Sequence, residues 1–490
     1  MVQPSNLLVK PALDQRTAQF TSRRSKWGLR ILPLLGAAAL GCSSNPKSAA
    51  TSSRDPDGST GPSQPLTGCT AHATAHAAAA KVESPQPSDA PLACTVETGL
   101  PAINTALVID DAGAILFAPA GGNTLALSRD NGASWETELP EGGDAGAGLW
   151  LHPFISRDRD TGRIFFNAFA IGVGANGCKA PTGADLWFGD HVDGTLEHRS
   201  VGCDSYDWGK TVTGPPVTDA SKQALQASGY PNVVYYCATG PTLIVGPNRM
   251  CYRSVDGGNT FTRTASDAID SARGQRGYPN QGAVAPDGTI YEAHPSDQGL
   301  AISTSHDEGD SWADVYVTGS VMTGPSSSWL GSNVATDREG NLYAVWVDDR
   351  DRLPYVSVSK DRGTTWTTPL MISIPEVAVS NYPNIAVKEP GYLAVAYYGS
   401  SDKNGNGNDG YLNEDGRAWN AYLVVTTNVL ADAPRFWTAT LTTTQSPAID
   451  SLAWTKSEYV GPPAFAPDGS IWAAFVHAEH GLAARIIAPP

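Results

Sequence analysis

The densest group of reactive side chains in this 490-residue sequence is Val347-Asp348-Asp349-Arg350-Asp351-Arg352. Carboxylates beside guanidinium groups can move protons or fix a polar ligand. Similar groups recur at His294 and Asp297, at Tyr397 and Tyr398, and in His477-Ala-Glu479-His480. Asp349, Arg350, His294 and His477, with Tyr459 of Glu458-Tyr459, are therefore the candidate catalytic residues. A solvated loop with surface Asp–Arg pairs has the same composition and would contribute little energy. Aromatic residues form a second set. Tyr230-Pro231-Asn232, Tyr278-Pro279-Asn280 and Tyr382-Pro383-Asn384 repeat one triplet, and His152-Pro153, Trp329 and Tyr459 fall at comparable places. Rings with polar tips suit the face of a sugar; the same tyrosines could instead plug seams between sheets. The third set is Asp402-Lys-Asn404-Gly-Asn406-Gly-Asn408, continuing to Asn413-Glu414. It follows the D-x-[DN]-x-[DN]-G calcium pattern, with Asp402, Asn404, Asn406, the backbone of Asn408, and Glu414 or Asn413 as ligands. The acidic residue arrives one position late. No Cys/His cluster suggests zinc, and nothing indicates an organic cofactor.

Two interleaved repeats must position these groups. The first is S-x-D-x-G-x-[ST]-[WF]: Ser128 to Trp135, Ser254 to Phe261, Ser305 to Trp312 and Ser359 to Trp366, the last three starting 51 and 54 residues apart. Asp and Ser/Thr side chains can bond the backbone of a tight turn, and Gly supplies an unusual φ/ψ. The second is an acid-Gly turn between apolar strands: Asp111-Ala-Gly113, Asp160-Thr-Gly162, Asp287-Gly288, Asp337-Arg-Glu-Gly340 and Asp468-Gly469, with Glu389-Pro-Gly391 degenerate. The period predicts an all-β propeller of four-stranded blades, about seven of them with six as the next choice. Inner strands are expected near 104, 152, 230, 278, 330, 382 and 461, with residues near 94–100 closing the ring. Residues 219–228 offer the single short helical stretch. Both repeated turns then face one rim. The aromatic entries and charged loops face the other, where a ligand is expected.

The S-x-D-x-G motif resembles the Asp-box, or BNR repeat, of sialidase-like propellers. That resemblance covers about residues 100–490 and implies carbohydrate chemistry. It also implies an arginine triad beginning with an early Arg-Ile-Pro motif. Residues 43–127 hold only Arg54, and no Arg-Ile-Pro occurs. The expected activity is therefore that of a glycoside hydrolase or polysaccharide lyase rather than a true sialidase. The alternatives are a non-catalytic glycan-binding propeller or one recruited to other small-molecule chemistry.

The formal charge of −16 argues against a nucleic-acid partner. Residues 1–42 carry six Lys/Arg and one acid, then the apolar run from Ile31 to Leu40 and Gly41-Cys42. This reads as a lipoprotein-type signal with Cys42 lipidated, giving an envelope lipoprotein (outer membrane in a Gram-negative host) that touches membrane only through its anchor, with ordinary secretion as the alternative and a monomer expected. Residues 43–93, rich in Ser, Ala and Pro, read as a disordered linker, and 94–490 as the propeller. Six further cysteines could pair by sequence proximity as Cys69–Cys94, Cys178–Cys203 and Cys237–Cys251, and only the last is local enough to be expected as a disulfide.

Overall fold

The computed structural model describes residues 69–487 except 103, 120–123, 139–149, 171–183, 193, 204–206, 241–247, 271–274, 276–280, 324–330, 405–416, 443–460 and 478–479. These residues form seven antiparallel sheets arranged as a seven-bladed propeller. Blades one to five have four strands each and follow sequence order outward. The second strands Val233–Thr239 and Leu342–Asp348 are buried at every position. A blade has neighbours on both faces, so its central strands read as continuous apolar runs.

Inner strands begin at Thr105, Trp150, Asp207, Ala283, Ser332, Val379 and Ala464. Six of these lie close to the expected starts. Blade three differs: its inner strand is Asp207–Gly214, and helix α1 (Asp219–Ser228) follows before the second strand. The segment near 230 therefore enters a second strand. Ring closure falls where expected, because Leu92–Pro101 pairs with His480–Ile486 of blade seven, from Ala93↔Ile486 to Pro101↔His480.

The linker expected over 43–93 is partly folded. Cys69–His72 pairs with the closing strand, and the disulfide Cys69–Cys94 links the two. Thr74–Ala77 pairs with Arg435–Thr440 at the outer edge of blade six, and Lys81–Val82 pairs outside it. Between them, Ala79 N donates to Met371 O of blade five at 3.2 Å. Residues 69–82 thus form a strap across the perimeter of three blades.

The four motif turns share one hydrogen-bond pattern. In blade four, Ser305 Oγ donates to Asp307 Oδ1 at 2.8 Å and accepts from Gly309 N at 2.8 Å, while Asp307 accepts from Ser311 N and Oγ. The same bonds recur around Asp130, Asp256 and Asp361. The residue before the glycine and the glycine itself are both left-handed, as at Glu308 (φ 62°) and Gly309 (φ 90°), which explains the invariable Gly. The acid-Gly turns also form, although in blades one and two the accepting carboxylates are Asp110 and Asp158 rather than Asp111 and Asp160.

Side chains stitch the seams between blades. Asn333 accepts from Gln281 N at 2.6 Å and donates to Pro383 O at 2.5 Å, and Tyr398 Oη accepts from Val476 N at 2.8 Å. Arg159, on the first turn of blade two, reaches across the axis to Thr336 O of blade five (3.0 Å) and Val387 O of blade six (3.4 Å). It stoppers the channel at the motif rim, using carbonyls on inner strands.

Candidate functional site

The two rims differ in kind. Motif turns and first-to-second-strand connections occupy one. The other carries the second-to-third-strand connections and those that lead from one blade to the next. Long loops on a rigid scaffold are where propellers place recognition, and Asp349 and Arg350 lie on this loop rim, between Leu342–Asp348 and Leu353–Ser359 of blade five.

Asp348, which sequence reasoning passed over, organises this loop. It ends an apolar strand and is fully buried. Its Oδ1 accepts from Arg350 N (3.1 Å) and Nε (2.6 Å); its Oδ2 accepts from Arg350 Nη2 (2.9 Å), Trp346 Nε1 (2.9 Å) and Val321 N (2.9 Å). Burial works against the charged form, but these donors, Arg350 foremost, hold Asp348 below the ordinary carboxylate value. The pairing likewise raises Arg350. The guanidinium lies 5.3 Å from the Tyr355 ring centre, and Tyr355 Oη donates to Asp351 at 2.8 Å. Burial and that carboxylate push the Tyr355 phenol up to about 12. Arg350 is thus fixed along one edge and one face, yet 48% of its side chain stays exposed. Asp349 is half-buried next to it. The alternation Trp346-x-Asp348-x-Arg350 on a strand end was the available signal.

The two expected histidines do not join them. His294 is buried inside blade four, with Nδ1 donating to Pro295 O (3.0 Å) and Nε2 at 3.0 Å from Ser303 Oγ. Its strand is covered on both faces, so the position that read as a rim loop is interior. His477 ends a strand of blade seven, 3.1 Å from Glu97 Oε1 of the closing strand, two blades away from Asp349. Tyr459 lies outside the described residues.

Of the aromatic entries, Tyr230 changes rims. Because blade three starts at Asp207, Tyr230 and Asn232 stand on the motif rim, where Tyr230 Oη donates to buried Asp158 at 2.5 Å and Asn232 Nδ2 donates to Asp158 and Asp160. Burial, then the Asp158 charge, raises the Tyr230 phenol. A shallow depression of about 320 Å³ lies beside it against α1. Tyr382 is buried at an irregularity in the inner strand of blade six. It shares an apolar cluster with Phe154 of blade two, Tyr398 and Phe475, so it fills the axis instead of lining a mouth. His152 lies in the inner strand Trp150–Arg157. Tyr278 and Trp329 lie outside the described residues.

In the candidate calcium loop, Asp402 Oδ1 accepts from Asn404 N (2.9 Å), and buried Arg417 donates to Asp402 O and Lys403 O. Asn406, Asn408, Asn413 and Glu414 lie outside the described residues, as do Cys42 and Cys178. Cys237–Cys251 is a disulfide, and Cys203 is disulfide-bonded. Glu292 approaches both sulfurs of Cys237–Cys251, but their bond leaves no thiolate for a metal. No helix among the described residues is long and apolar enough to cross a membrane.

No family model matches the chain, and no curated protein matches it. Among solved structures it is similar to a protein of unknown function from Dyadobacter fermentans DSM 18053 (13% identity, 80% of this chain and 98% of that one, TM-score 0.39). It is also similar to YCF48 bound to D1 peptide (13%, 81% and 96%, TM-score 0.42). A third is the Hadza microbial sialidase Hz136 (15%, 70% and 66%, TM-score 0.42). These likenesses are too distant to transfer an activity.

Proposed function

We propose that the chain is an exported, Asp-box-type propeller that binds a neutral carbohydrate on its loop rim. The observation that carries this reading is Arg350, held by Asp348 and Tyr355 with half its side chain open to solvent. Adjacent sugar hydroxyls need a donor and an acceptor in fixed places, and a donor fixed beforehand loses little entropy on binding. Arg350 supplies the donor and Asp349 the acceptor. Charge decides between neutral and acidic ligands. Asp348 already neutralises Arg350, and residues 348–352 hold three acids against two arginines, so an added carboxylate meets no net attraction. Export is supported by the disulfides Cys69–Cys94 and Cys237–Cys251, which persist in oxidising compartments. Lipidation at Cys42 belongs to the same proposal.

A second, enzymatic reading as a hydrolase or lyase rests on Asp349, a carboxylate beside a fixed donor. Calorimetry with neutral, uronate-containing and sulfated oligosaccharides tests both readings. Binding of a neutral glycan that Arg350→Ala abolishes is expected. Release of reducing ends that Asp349→Asn removes would favour the enzyme. Failure to bind any glycan, with some other small molecule captured at the same residues, would overturn the carbohydrate assignment.

A further inference from the structure

We propose that the perimeter strap is an acid-released latch, in which protonation of His76 detaches residues 74–82 from blade six while the propeller stays folded. His76 is fully buried and lies opposite Phe436 on one side and Val82 on the other. Its ring stacks on Phe436, with centroids 5.6 Å apart at 22°. Nδ1 is 3.1 Å from Ala77 O, which can only accept, so Nδ1 carries the proton. Nε2 is 2.7 Å from buried Thr438 Oγ1 and accepts its hydroxyl proton. The site is therefore complete for a neutral imidazole, and a second proton would bury a cation.

The charged groups around it do not offset that cation. Glu83, after the strap's second strand, is already paired with Arg435 at 2.7 Å. Glu376 is the other carboxylate felt at the ring, and Lys81 on the neighbouring strand is exposed. Burial outweighs the Ala77 bond and both carboxylates, and places the imidazole below its usual 6.5. A depressed value means that the neutral ring's contribution is complete above 6.5 and is lost as pH falls through the folded value.

Apart from its ladder with Arg435–Thr440, the strap is tied by the Ala79 N–Met371 O bond and the Glu83–Arg435 pair, and few apolar groups anchor it. Among its described residues the other buried side chains are Ala73 and Ala75, while Val82 is 40% exposed. A small apolar contact area makes this a low-stability unit that can open alone. The Cys69–Cys94 disulfide keeps one end in place and the closing strand keeps the other, so re-closure is intramolecular and favoured. Opening uncovers the edge of Arg435–Thr440, an unpaired strand able to accept another.

Hydrogen exchange of the full chain at about pH 7.5 and about pH 5, corrected for intrinsic rates, tests the latch. Wild type is expected to lose about tenfold or more protection at Thr74–Ala77 and Arg435–Thr440 on acidification, with Leu342–Asp348 unchanged. His76→Phe keeps the stack on Phe436 without a titratable ring and should stay protected at both values. Unchanged protection in wild type, or equal loss in His76→Phe, overturns the proposal. The imidazole titration followed by NMR in wild type decides independently of any variant's folding, and a midpoint at or above 6.5 also overturns it.

Discussion

Replacing Asp348 by asparagine should destabilise this protein even though the two side chains have nearly the same shape. All five partners of the carboxylate are donors: Arg350 N, Nε and Nη2, Trp346 Nε1 and Val321 N. An amide must aim its own N–H groups at some of them. Placed at Oδ2 it would orphan Trp346 Nε1 and Val321 N; placed at Oδ1 it opposes Arg350 N and Nε and turns that side chain out. The second arrangement costs less because Arg350 is half exposed, and two charge-assisted bonds lost at a partly wet site amount to about 2 kcal/mol. Asp348→Ala, which leaves both inner donors unpaired, should cost about 3–5 kcal/mol. Arg350→Ala leaves Asp348 with Trp346, Val321 and the backbone N–H of residue 350 and admits water, so it should cost under about 1 kcal/mol. Urea unfolding at neutral pH, with midpoints compared at constant slope, gives the order directly. Arg350→Ala costing as much as Asp348→Asn, or Asp348→Asn within about 0.5 kcal/mol of wild type, would refute the reasoning.

Further outcomes are expected. Burial alone would raise Asp130, Asp256 and Asp307, but bonds from Ser/Thr hydroxyls and backbone N–H groups win and hold all three below the ordinary 3.8; burial would also raise Asp314, which accepts from Gln275 Nε2 and Ser303 Oγ with His294 3.6 Å away and is held at about 2. These depressed carboxylates stabilise above 3.8 and lose that effect as pH falls through their folded values, so calorimetric midpoints should drop steeply only in the acid range. A midpoint insensitive to acid would contradict the motif-turn bonds. Tyr398→Phe removes the seam bond to Val476 N and should cost about 1–2 kcal/mol in urea unfolding. Cys42→Ser should move the protein from membrane to soluble fractions; unchanged fractionation would leave ordinary secretion as the better reading.

Most of the architecture was legible because a propeller writes its fold in local bonds. The motif turns close within a few residues, from Ser305 to Ser311 for example, so their signature survives in sequence. Blade three was misread for the opposite reason. Asp207–Gly214 is a polar strand followed by a helix, and the recurring Tyr-Pro-Asn triplet drew the blade's start to Tyr230. The site was harder. A shift of one residue exchanges faces on a strand, so the choice between Asp348 as buried anchor and Asp349 as half-buried loop acid turned on where Leu342–Asp348 ends. Polar residues such as Glu292 and His294 did not mark solvent, because neighbouring blades cover both faces of their strand.

The Cys69–Cys94 disulfide also sets how the ring carries mechanical load. Tension arriving at Cys69 has two covalent routes inward: the 24 intervening residues, which include the strap, or the sulfur bridge to Cys94. The bridge is the short one, so it takes the force and leaves the strap slack. Load then enters the closing strand near its beginning and spreads along its register with blade seven, from Ala93↔Ile486 to Pro101↔His480. Pulling therefore tests the ring seam without unzipping Thr74–Ala77 from blade six, and the protein can be tugged hard while its latch answers only to protons.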